Sequence, residues 1–148
     1  MAASPEPREK TTSRCTAETD RCVHVFEIHG YSLHRELGNG GKFIPSAAFT
    51  VGGYEWRIRF YPAGRELEEE SEHYVSVYLE LLSKTAKVTG LISFWLVDPA
   101  TALPPLLVFD AKAVVFNCAN SCWGTRSFKE TDELEASPYL RDDRLVNL

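Results

Sequence analysis

No apolar run in the 148-residue chain approaches the ~20 residues that a membrane-spanning helix needs. The opening stretch, Met1-Ala2-Ala3-Ser4-Pro5-Glu6-Pro7, lacks the apolar core of a secretion signal. A basic stripe is also missing: 16 Lys and Arg stand against 21 Asp and Glu, for a net charge of −5. Proteins that bind nucleic acid need such a stripe to displace counterions from phosphates. Nucleic acid and acidic membrane surfaces are therefore not expected partners. Five carboxylates lie within Glu66-Leu67-Glu68-Glu69-Glu70-Ser71-Glu72, so the rest of the chain is close to neutral. The expected location is the cytoplasm, the nucleus or both, where the four cysteines stay reduced.

Chemistry-bearing motifs are equally scarce. Cys118 and Cys122 are spaced C-x3-C, and Cys15 and Cys22 C-x6-C. A structural zinc site prefers two tight Cys/His pairs, so plain thiols are expected, with no metal and no cofactor. His24, His29, His34 and His73 form no H-E-x-x-H pattern. Gly38-Asn39-Gly40-Gly41 is followed by Lys42-Phe43-Ile44-Pro45, a poor helix start, which favours a turn over a phosphate-cradling loop. No G-x-S-x-G elbow occurs. Without a nucleophile–base pair or a metal cluster, an enzyme is not expected.

What the sequence does contain is strands. Residues 1–20 are polar, carry Pro5 and Pro7, and read as a disordered leader; residues 21–148 read as one domain. His24 to Ile28 is short and rich in β-formers, and Gly30 ends it. Ala47 to Val51, Gly52-Gly53 and Tyr54 to Tyr61 together form a hairpin signal. In the second arm Tyr54, Trp56, Ile58 and Phe60 alternate with Glu55, Arg57 and Arg59, as in a half-buried strand. Val75, Val77, Leu79 and Leu81 share one face of the next strand, opposite Tyr74, Ser76, Tyr78 and Glu80. Further strands are expected over Val88 to Val97, Leu106 to Phe116 and Trp123 to Phe128, with a last one starting at Arg144. Helix is confined to single turns near Leu33 to Leu37 or Glu133 to Tyr139. This pattern favours an all-β, antiparallel sandwich of about 7–8 strands. Tyr78, mid-strand on the polar face, leaves two readings open: an anchor for a bound peptide, or a ring packed beneath a covering loop.

Several short motifs then line up in order. They are Gly30-Tyr31-Ser32, Phe43-Ile44-Pro45-Ser46, Gly52-Gly53-Tyr54-Glu55-Trp56, Tyr61-Pro62-Ala63-Gly64, Tyr74 to Leu79, Trp123-Gly124 with Phe128, and Tyr139 to Leu145. Together they resemble a MATH (meprin and TRAF homology) domain, TRAF/MATH-like in fold, over about Cys15 to Leu148. The wording, including Ser13-Arg14-Cys15-Thr16-Ala17-Glu18, closely resembles that of the MATH-BTB proteins expanded in grasses.

The resemblance implies a protein-binding module that captures short, extended, Ser/Thr-rich segments of substrate proteins. A separate BTB domain then engages a cullin-3 ubiquitin ligase. By position it implies a peptide site at Tyr78, Ile92, Trp123, Gly124, Thr125 and Arg126. Ile92 and Thr125 stand where the family carries aromatics, which implies a different peptide preference or weaker binding. No BTB domain is expected after the MATH region. The final strand is expected to be truncated at Leu148, leaving an open sheet edge that invites association. The alternative function is therefore a truncated or regulatory MATH fragment without a working groove, competing with full-length MATH-BTB relatives or pairing with them.

Overall fold

Two antiparallel sheets face each other in the computed structural model, which describes residues 9–15, 20–37, 41–65, 73–100 and 103–147. Most of the expected leader (1–8 and 16–19), Gly38 to Gly40 and the acidic run 66–72 lie outside the described residues.

The first sheet runs in the order β1 (Phe26–His29), β10 (Arg144–Asn147), β6 (Val88–Val97), β7 (Leu106–Phe116), with β9 (Leu140–Arg141) also pairing β10. The second runs β2 (Ile44–Pro45), β4 (Tyr54–Tyr61), β5 (Tyr74–Leu81), β8 (Cys122–Glu130), with β3 (Phe49–Val51) also on β4. Two short helices, α1 (Tyr31–Leu37) and α2 (Thr131–Glu135), complete the fold. The sandwich and its strands follow the alternation in the sequence. The two-residue strands β2 and β9 carry too little pattern to be seen there.

The glycine-pair hairpin forms as expected. Val51 pairs with Tyr54, and Gly52 and Gly53 both take positive φ, +63° and +79°, as a two-residue turn of this hand requires. Trp56, Ile58 and Phe60 of β4 point into the core beside Val75, Val77 and Leu81 of β5. Ile92, Phe94 and Leu96 of β6, with Val114 and Phe116 of β7, close the core from the other sheet. Aromatic edges lock the two layers together: Trp56 meets Phe116 and Phe94 meets Phe128, both edge to face.

The last strand forms, and the expected open edge lies beside it on β6. β10 lies inside its sheet and pairs with all four residues of β1, from Phe26↔Asn147 to His29↔Arg144. It is short, however, and meets only Leu96 and Val97 of β6. Among the described residues no strand pairs with Val88 to Trp95 on the side away from β7. The turn before β10 places Asp142 and Asp143 at positive φ, +50° and +58°. There the Asp143 carboxylate accepts hydrogen bonds from the Ser32 amide (2.9 Å) and hydroxyl (2.7 Å), while its carbonyl accepts one from the Tyr31 amide (3.0 Å). Asp143 thus caps α1 and ties the last hairpin to the first helix.

At the end of β6 the buried Asp98 carboxylate holds the loop that follows. It accepts the Ala100 and Leu103 amides and pairs with the Arg141 guanidinium of β9 at 2.6 Å. Hydrogen bonding from Arg141 is the main reason the Asp98 carboxyl titrates below its usual range.

Candidate peptide-binding site

The second sheet carries five of the six candidate residues, and its two faces are buried by different means. The inner face packs on the core. The outer face is roofed by its own long side chains. Three cross-strand rows organise that outer face. Arg57 of β4, Glu80 of β5 and Cys122 of β8 stand side by side, as do Arg59, Tyr78 and Gly124. Tyr61 and Ser76 form the third row.

Glu80 is the electrostatic centre. Its side chain is only 3% exposed and is gripped by Arg57 and Arg59, with the Lys84 ammonium at 3.2 Å. Burial pushes its pKa up, but the hydrogen bonds from Arg59, Arg57 and Lys84 outweigh that and hold it at about 2. The two guanidiniums also lie over the Phe43 ring, Arg59 at 4.4 Å and Arg57 at 5.4 Å.

Tyr78 is 7% exposed. The Arg65 guanidinium stacks over its ring at 4.2 Å, and Tyr61 meets it edge to face at 5.8 Å. Of the two readings open to the sequence, the packed ring is the one observed. Its cover is the guanidinium of Arg65. Ser76 anchors the same region: its hydroxyl donates to the Arg126 carbonyl (2.7 Å) and accepts the Arg65 amide (3.2 Å).

Gly124 sits directly across from Tyr78, and nothing larger fits there. A Cβ at this position would lie 2.6 Å from the Tyr78 Cα and 2.9 Å from the Val77 carbonyl carbon, and would overlap the Val77 oxygen. The missing side chain lets the β8 backbone pack directly against Val77 and Tyr78 of β5. β8 is also the outermost strand of its sheet, so its far side has no strand partner among the described residues. Trp123 is 41% exposed and reaches to the other sheet, where its indole N–H donates to the Val115 carbonyl at 2.9 Å. Thr125 pairs with Val77, and its hydroxyl accepts the Ser127 amide at 3.2 Å. Farther along the same edge an open cavity of about 460 Å³ lies between β7 and β8, lined by Tyr74, Leu106, Leu107, Phe128, Lys129 and Glu133 among others.

Five of the six sequence-derived residues, Tyr78, Trp123, Gly124, Thr125 and Arg126, lie on β5 and β8, with Tyr78 and Gly124 in one outer row and Trp123 and Thr125 across from the inward-facing Leu79 and Val77. The structure does not bring Ile92 to them. Ile92 lies on β6 in the opposite sheet, 5% exposed, in the core cluster with Phe94 and Leu96. Alternation along β6 points it inward, and a branched aliphatic side chain there gains more from packing than from forming a groove wall. Sequence reasoning missed Arg57, Arg59, Arg65 and Glu80. The signal for three of them was available: pairing the charged face of β4 with the polar face of β5 puts both arginines beside Glu80.

Residues 23–146 match the family model described as the MATH domain. The chain belongs to the MATH-domain family. Its MATH domain is 37% identical over 142 residues to BTB/POZ and MATH domain-containing protein 5 of Arabidopsis thaliana, covering 92% of this chain and 34% of that protein. Protein 3 of the same series, also from Arabidopsis thaliana, is 35% identical over 135 residues, with 87% and 33% covered. The chain thus spans about a third of the length of the curated relatives it matches. Among solved structures, Notothenia coriiceps TRAF5 superposes with a TM-score of 0.60 at 15% identity, over 83% of this chain and 69% of that one, which establishes the shared fold. The MATH domain is a protein-interaction module and not a catalyst. Among the described residues no group of three or more His, Cys, Asp or Glu side chains could hold a metal ion.

Proposed function

We propose that this MATH domain binds a short, extended, Ser/Thr-rich segment of a partner protein, laid along β8 beside Gly124 and Tyr78. The observation that carries the proposal is the edge of β8, which has no strand partner on its far side among the described residues and lies beside the exposed Trp123. An extended chain adds to such an edge through backbone hydrogen bonds, and pockets along the strand select its alternate side chains. The relatives whose names pair a MATH with a BTB/POZ domain support a role as the substrate-binding part of a cullin-3-type ubiquitination adaptor, in the cytoplasm, the nucleus or both.

The test is selection of peptides from a random eight-residue display library, followed by amide hydrogen exchange on the complex. Slowed exchange confined to Cys122 to Glu130 is the expected result. A selected peptide that protects only the first sheet would overturn the site.

One observation favours a second function. Val88 to Trp95 of β6 has no charged residue and no proline, lacks a strand partner on one side among the described residues, and carries Leu91 at 74% exposure. A regulatory form that pairs with MATH-BTB relatives through this edge would compete with them for substrates. Sedimentation of the chain alone and mixed with a relative's MATH domain separates the two: a monomer that stays unmixed removes the second function.

A further inference from the structure

The edge of β6 that faces away from β7 differs in chemistry from the outer edges of the sandwich. The outer strands β1, β7 and β8 carry charged side chains (Glu27, Asp110 and Lys112, Arg126 and Lys129), and β2 carries Pro45. Such residues keep an edge from pairing with another chain. Val88 to Trp95 has neither charge nor proline. Among the described residues no strand pairs with its far side, and no loop backbone hydrogen-bonds to it.

Leu91 is the centre of that edge and sits at a bulge. β6 and β7 are in register at Gly90↔Val114 and again at Ile92↔Ala111, so Leu91 alone faces Lys112 and Ala113. Ala113 takes φ +56°, a strained conformation for a residue with a Cβ. Leu91 is left exposed, while Ile92 and Phe94 stay in the core.

We infer that a second copy of the chain occupies this edge, β6 against β6 in antiparallel pairing about a two-fold axis at Leu91. This rests on the second reading above, β6 as a pairing edge, and names its partner. Residues directly opposite in an antiparallel pair point to the same face, so the axis must pass through a residue and not between two. An axis at Leu91 sets Val88 opposite Phe94 and Gly90 opposite Ile92 of the second copy on the core side. On the solvent side Thr89 meets Ser93, and Leu91 meets its own copy. An axis at Ile92 would set Val88 against Leu96, whose edge Asn147 already occupies. An axis at Gly90 would leave Ser93 and Phe94 unpaired.

Charge agrees with this occupant. A neutral strand meets a neutral strand, whereas a charged segment would bury its charge beside Leu91 and Trp95 without a partner. The same edge is used on both copies, so the pairing closes at two. β8 belongs to the other sheet, so its edge is not consumed. The dimer presents two β8 edges at once, and a partner with two binding segments is held more tightly than one with a single segment.

The test is sedimentation velocity of the full chain under reducing conditions, over a range of concentrations. The expected result is a dimer that dissociates on dilution, because one short ladder is a small interface. Leu91→Lys and Leu91→Glu each weaken it on the order of ten-fold, since like charges then face each other across the axis. Mixing the two variants restores the dimer, because position 91 of one copy faces position 91 of the other. The Leu91→Cys variant gives an independent measurement: on oxidation two copies join through position 91, as mapped by mass spectrometry of the linked peptide.

A dimer that neither charged variant weakens, or that mixing does not restore, would overturn the two-fold at Leu91, as would the absence of the linked peptide. A native chain that stays monomeric yet binds a relative's MATH domain would overturn self-pairing and leave the β6 edge standing. A chain that binds neither removes both.

Discussion

β5 and β6 are neighbours in sequence and lie at equivalent depth in opposite sheets, yet their outer faces differ. β6 alternates: Ile92, Phe94 and Leu96 are buried, while Thr89, Leu91 and Ser93 face solvent. β5 does not: Ser76, Tyr78 and Glu80 on its outward positions are as buried as Val75 and Val77 on its inward ones. The core explains only half of that burial. The other half comes from arginines and aromatic rings folded flat over a polar face, which is expensive unless each buried polar group has partners. Glu80, Ser76 and Tyr78 all have them. A sheet face held together in this way is shaped and charged before any ligand arrives.

Acid separates the two sheets most sharply. Glu80 carries a folded pKa of about 2 against an ordinary 4.5, so its contribution is full above about pH 4.5 and is lost as pH falls toward 2. At about 1.36 kcal/mol per unit, the native chain should lose on the order of 3 kcal/mol from this group across that window. Denaturant titrations at pH 5.5 and pH 2.5 measure it. The Glu80→Gln variant should show a shallower drop; an unchanged drop would assign the acid sensitivity elsewhere.

Two glycines give the next contrast. Gly124→Ala drives a methyl into the Val77–Tyr78 backbone and should cost about 2–3 kcal/mol. Gly90→Ala on β6 meets nothing within 4 Å and should be neutral or stabilising by about 0.5 kcal/mol, since alanine restricts the unfolded chain. Equal effects in urea unfolding would mean that β8 can move away from β5.

Ile92→Val tests whether the first sheet contributes to the site. Removing one methylene from the core should cost about 1 kcal/mol of stability and leave peptide affinity unchanged; a loss of affinity at constant fold would return Ile92 to the groove. Smallest of all, Leu91→Lys on the exposed face should change monomer stability by less than about 0.5 kcal/mol. It should also abolish any concentration-dependent sedimentation that the open edge of β6 supports.

The sequence showed the sandwich clearly because each long strand carries its own signature, as in Trp56-Arg57-Ile58-Arg59-Phe60. It showed the position of the site only in part. Tyr78 could be placed on the outward face of β5 by alternation, but its burial depends on Arg65 and Tyr61, which precede it by 13 and 17 residues and reach it through the sheet. Such cover is a tertiary property and leaves no local pattern. Ile92 shows the opposite failure. Its inward direction was readable from the alternation of β6, and a positional match to relatives carried it to the wrong side of the sandwich. The fate of the last strand was hidden for a third reason: pairing of Arg144 to Asn147 with both β1 and β6 is a long-range choice that four residues cannot announce.

That pairing also sets the order in which the molecule can assemble. Phe26 finds its strand partner only in Asn147, 121 positions later. The hairpins of the second sheet, β3–β4 and β4–β5, close over much shorter spans and can form while the chain is still emerging. In the first sheet β6–β7 closes locally too, but β1 cannot pair early. β1 must wait until Arg144 to Asn147 have been synthesised, with Ile28 unpaired until then. The hairpins β3–β4, β4–β5 and β6–β7 are thus local, while the β1–β10 seam is the longest-range pairing in the fold.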